Sequence, residues 1–110
     1  MAARPLIRHI QLELADTAAR LARVDATPEP AEPRPRWHYL CRRRTLLDGL
    51  VDDAERLALA HARSGDLGAA AAVHELVEHY QHLHHLARRA IELHQPVLAR
   101  SMHRFAPRQP

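Results

Sequence analysis

The chain has 110 residues, is 46% hydrophobic and only 4% aromatic, and its sixteen basic residues against thirteen acids leave a formal charge of +3. That length supports one hydrophobic core. With so few aromatics the core is aliphatic, which suits helix-on-helix packing and argues against a β sandwich.

No run reaches the roughly 18 apolar residues of a membrane span, and the first residues lack the apolar stretch of a secretory signal. A single cysteine, Cys41, allows no intrachain disulfide. The expectation is a cytoplasmic protein without a membrane partner. Every basic residue is arginine and there is no lysine, so the positive charge is carried by guanidinium forks suited to carboxylates and phosphates.

Pro5 opens the first predicted helix, over about residues 5–24, with Ile7, Ile10, Leu14, Thr17, Ala18, Leu21 and Val24 along one face. A proline-rich linker follows at about 25–36, where Pro28, Pro30, Pro33 and Pro35 favour extended chain over helix. The second helix is expected over about 37–63, with Leu40, Leu47, Leu50, Val51, Ala54, Leu57, Ala58 and His61 on one side and Gly49 inside it.

Ser64-Gly65-Asp66 supplies a stop and a start together. Gly65 suits the left-handed residue after a helix and Asp66 the N-cap of the next. The third helix is expected over about 66–95, with Val73, Leu76, Val77, Tyr80, Leu83, Ala87, Ala90 and Ile91 recurring at steps of three and four. At ~1.5 Å per residue it reaches roughly 40 Å and needs a partner helix along most of its length. Pro96 is expected to end it, with a short last helix over about 97–105 and a frayed tail at 106–110.

The fold expected is therefore all-α: one domain over residues 1–110, an antiparallel hairpin with flanking helices, forming a small bundle. The stretch around the turn resembles the helix–turn–helix of a tetratricopeptide repeat in Leu57, Ala58, Gly65 and Ala70. It departs from that pattern at His61 and His74, where aromatics are usual, and no second copy at a ~34-residue period follows. It is hairpin chemistry rather than a sign of family.

Four groups of residues carry candidate chemistry. Arg34, Arg36, Arg42, Arg43 and Arg44 surround Trp37 and Tyr39 at the start of the second helix, where the helix dipole disfavours cations and a bound anion would relieve the conflict. This is a candidate surface for an acidic protein or for nucleic acid, reduced if Asp48 pairs with Arg44 four residues away. On the third helix Glu75, His79 and His82 share a face and come nearest to a metal-ligand set, but no zinc-protease spacing occurs, so no metal and no cofactor is expected. Glu75–His79 and Glu78–His82 pairs would instead give that face an ordinary solvated character.

His38 and Cys41 lie three apart without an orienting third group, so an enzyme is not expected. Leu86 and Leu93, seven apart, fall off the main apolar stripe and mark an interface. His94 falls beside that stripe and is expected in the core. The function expected is a non-enzymatic helical protein working through protein–protein contacts, as an adaptor, chaperone, inhibitor or assembly subunit, and as a homo-oligomer. The alternatives are a nucleic-acid-binding helical protein and a metal-binding bundle.

Overall fold

The computed structural model describes residues 3–104, in three helices with no strand among them: α1 over Ala3–Ala26, α2 over Pro33–Arg63 and α3 over Leu67–Arg104. None is long and apolar enough to cross a membrane.

The turn forms as its residues predict. Gly65 takes a positive φ of 85°, its N–H donates to the Ala62 carbonyl (3.1 Å), and the Asp66 N–H donates to the His61 carbonyl (3.0 Å). These two bonds are those of a Schellman motif and satisfy carbonyls that the end of α2 would leave open. Asp66 Oδ1 then accepts the Ala69 N–H at 3.0 Å, capping α3. An antiparallel hairpin results.

Proline placement corrects the expected boundaries twice. Extended chain is confined to residues 27–32, and α2 begins at Pro33 rather than near Trp37. Pro33 and Pro35 sit in the first turn, where backbone N–H groups have no intrahelical acceptor, so their missing donors forfeit nothing. The first helical bond runs from the Arg36 N–H to the Glu32 carbonyl at 3.0 Å.

At the other end α3 does not stop at Pro96. It continues through it to Arg104, so there is no separate last helix at 97–105. Pro96 removes the bond to the Glu92 carbonyl, but both residues are exposed, and water can take the freed acceptor. Phe105 and the tail 106–110 lie outside the described residues.

Helix α2 is central, packed against α1 on one flank and α3 on another. Leu47, Leu50 and Ala54 are fully buried on its inner face. Leu47 and Leu50 share a cluster with Leu21 of α1 and Ala87 of α3, flanked by Leu14, Ala18, Tyr80 and Leu83. Nearer the turn Ile10, Leu57 and Ala60 form a second cluster, with Val73 against it.

The three helices contain 24, 31 and 38 residues. At ~1.5 Å per residue they measure roughly 36, 46 and 57 Å, so they cannot cover one another to the same extent. The molecule is a rod of 70 × 25 × 19 Å with a radius of gyration of 18.6 Å. A compact domain of this length would have about 13 Å. Elongation leaves much of α3 exposed.

Candidate functional site

The basic end of α2 is built from its first three turns. Two of its five arginines are paired with acids of the same molecule. Arg36 Nε donates to Glu29 Oε1 at 3.0 Å, and Arg43 Nε to Asp25 Oδ1 at 2.8 Å. Asp25 lies in the last turn of α1 and Glu29 in the connection to α2, so these bonds tie the start of α2 to both. Arg34, Arg42 and Arg44 are exposed, with no carboxylate within 4.0 Å among the described residues. At about 100° per residue Arg42 and Arg44 diverge around the helix, so the five arginines do not form one patch.

The aromatics are absorbed by packing too. Trp37 is half-buried and stacks on His94 of α3, with ring centroids 6.3 Å apart and planes at 26°. Buried His94 donates from Nε2 to the Pro33 carbonyl at 2.7 Å, so this pair closes α2 onto α3. Tyr39 is half-buried. The Trp37 ring, stacked on His94, does not offer the open face that base stacking needs.

Asp48 does not pair with Arg44. Its Oδ1 lies 2.8 Å from His84 Nε2, across the hairpin. Cross-helix proximity outcompetes the i,i+4 pairing that helix geometry alone suggests. Reflecting the chain about Asp66 in the turn places 48 opposite 84 and 44 opposite 88, and brings 37 within one residue of 94. Arg44 accordingly joins His84, Arg88, Ile91, Glu92 and Gln95 in lining an open recess between α2 and α3. Periodicity along one helix does not register Arg88, but the reflection about Asp66 does.

Glu75, His79 and His82 are all exposed, and the described residues gather no group of three or more His, Cys, Asp or Glu side chains able to hold a metal ion. On this face His79 lies against Tyr80 and His74 Nε2 lies 3.6 Å from Glu78 Oε1, in place of the Glu75–His79 and Glu78–His82 pairs. Cys41 is half-buried with a free thiol and His38 is exposed.

Leu86 and Leu93 are 49% and 69% exposed, and Val97 continues their line at 37%. With half-buried Leu83 and Ala90 they make a run at alternating steps of three and four, the spacing of a heptad seam.

One acid stands apart. Burial raises the pKa of Asp53 above its ordinary 3.8; nearby Glu13 and Asp52 push the same way, and Arg56 opposes them. Arg56 reaches Asp53 Oδ1 at 3.5 Å and Glu13 Oε2 at 3.4 Å, sharing one cation between two carboxylates.

Comparison with protein-family models, curated proteins and solved structures returned no match.

Proposed function

We propose that this chain is a non-enzymatic helical subunit acting through protein–protein contact, with a second copy of itself as the first partner. The observation that carries this reading is the open edge of α3. Leu86, Leu93 and Val97 fall within an arc of about 40° and expose apolar surface that nothing among the described residues covers. A second helix laid along Leu83, Leu86, Ala90, Leu93 and Val97 would bury them as alternating knobs.

The basic end of α2 favours this over a nucleic-acid surface, because Arg36, Arg43 and Trp37 are engaged within the molecule. Arg34 and Arg42 remain to steer an acidic partner toward the rod.

Sedimentation equilibrium tests the reading. A dimer or larger species is expected at tens of micromolar, and Leu93→Glu should return it to monomer with its helix content unchanged. A single 12.5 kDa species in the parent chain overturns self-association.

A further inference from the structure

Arginines that reach out of their own helix in this molecule meet acids. Arg36 meets Glu29, Arg43 meets Asp25 and Arg56 meets Glu13. The seam between α2 and α3 continues the habit at two rungs: Gln81 Nε2 donates to Glu55 Oε1 at 3.3 Å, and His84 lies against Asp48. The next rung breaks it. Arg44 and Arg88 line one recess, and neither has a carboxylate within 4.0 Å among the described residues.

The acids that could neutralise them are engaged elsewhere. Asp48 is against His84, and the Glu92 carboxylate accepts from Arg89 Nη1 at 3.2 Å. Glu92 also lines the recess, but its carboxylate is shared with Arg89, which leaves Arg44 and Arg88 as the two arginines of the lining with no carboxylate partner of their own among the described residues. Beside them His84 Nε2 is shut off from solvent and, although 2.8 Å from Asp48 Oδ1, makes no hydrogen bond in that geometry. Gln95 adds an amide, and Ile91 gives the recess an apolar wall.

We propose that this recess binds a phosphoryl dianion, as inorganic phosphate or as the terminal group of a small phosphomonoester. Charge selects the class. Two guanidiniums match a charge of about −2, which a phosphomonoester carries near neutral pH and a carboxylate or phosphodiester does not. Geometry agrees, since each planar fork can grip two oxygens and a phosphoryl group offers three. The recess, of about 320 Å³ and open to solvent, has room for the group and for part of a small ester. The site lies on the α2–α3 seam and does not depend on the α3 edge being an interface.

Titration of the full chain at low ionic strength, by calorimetry and by amide chemical shifts, tests this with inorganic phosphate and phenyl phosphate as separate probes. Saturable binding of at least one probe is expected, with shifts centred on residues 44, 88 and 95. Arg44→Gln and Arg88→Gln should each weaken it by about tenfold or more, the usual worth of one charge-assisted contact, while Arg8→Gln leaves it unchanged. Binding of inorganic phosphate alone assigns a free-ion site, and binding of phenyl phosphate an ester site.

Three results overturn the proposal: no saturable binding of either probe at millimolar concentration, full binding in both Arg44→Gln and Arg88→Gln, or equal binding of dimethyl phosphate or a single-stranded oligonucleotide. Arg44 and Arg88 are exposed, so their substitution leaves the core alone, and an unchanged circular dichroism spectrum checks that each variant is folded.

Discussion

The two halves of α3 carry the same kind of helical pattern and end in different situations. In the half nearest the turn, Val73, Tyr80 and Leu83 pack against core clusters that hold residues of α1 and α2, Val77 is buried and Leu76 half-buried, and the opposite face is His and Glu in water. In the other half Ala87, Ile91 and His94 are buried, while Leu86, Leu93 and Val97 stay open a quarter-turn away. Helix lengths explain the exposure of Val97, which lies past the start of α2, whereas Leu86 and Leu93 lie alongside α2 on a face that it does not cover. Helix α1 spans about 36 Å against about 57 Å for α3, and Pro33, the first residue of α2, is already level with His94. Roughly ten residues of α3, or ~15 Å, project past the start of its partner. Amphipathicity sets which face can be buried; the length of the neighbours decides how far along the helix that burial runs.

The largest effect should come from two residues of α3 just two positions apart. Ile91 is 7% exposed and Leu93 is 69% exposed. Ile91→Ala removes packed methylenes and leaves a cavity, with an expected loss of about 2–5 kcal/mol, a large share of what a small domain has. Leu93→Ala should change the stability of the isolated chain by less than about 0.5 kcal/mol while weakening self-association. Urea unfolding followed by far-UV circular dichroism reads the first effect and sedimentation the second. Equal losses of stability would mean that both faces of this half are packed.

Which parts of this were legible from residue order follows from which forces act locally. Helical period and cap chemistry are local, so all three helices, the turn at Ser64–Asp66 and the exposure of Leu86 and Leu93 could be read from the chain. Proline misled in both directions, because its effect depends on position within the helix. In the first turn Pro33 and Pro35 deny the backbone nothing, whereas Pro96 loses a bond that solvent can replace. The arginines were legible as a cluster in sequence but not as separate contacts. Glu29 and Asp25 reach Arg36 and Arg43 from outside α2, and Asp48 leaves Arg44 for His84. Such pairings belong to tertiary geometry, which periodicity does not encode.

A smaller effect sharpens the description of the part covered by α1. Gly49 sits in the middle of α2, where glycine costs roughly 1 kcal/mol relative to alanine. A Cβ there would lie 3.7 Å from Thr17 Cγ2 of α1, an ordinary contact, so the approach of α1 does not require glycine. Gly49→Ala should therefore stabilise the protein, by about 0.5–1 kcal/mol, seen as a higher urea midpoint at unchanged slope. Destabilisation would mean that α1 lies closer to α2 than that spacing.

The smallest effect lies in the same covered region and is read by pH. Asp53 ionises less readily in the folded protein than its ordinary value of 3.8, chiefly because burial strips water from it, with Glu13 and Asp52 adding repulsion that Arg56 only partly offsets. A carboxyl whose pKa is raised by folding binds its proton more tightly in the native state. Its stabilising contribution is complete below the unfolded value near 3.8 and is lost as pH rises through the folded value. Above that window, ionised Asp53 is a burden on the fold. Asp53→Asn removes the titration while preserving shape, so the variant should melt higher than the parent chain at pH 7. The gap should close as pH falls toward 3.8 and stay closed below it. Melting curves of both proteins from pH 3 to 7 at constant ionic strength measure the gap. A variant that melts lower than the parent at pH 7 would mean that the 3.5 Å contact with Arg56 outweighs the burial of Asp53.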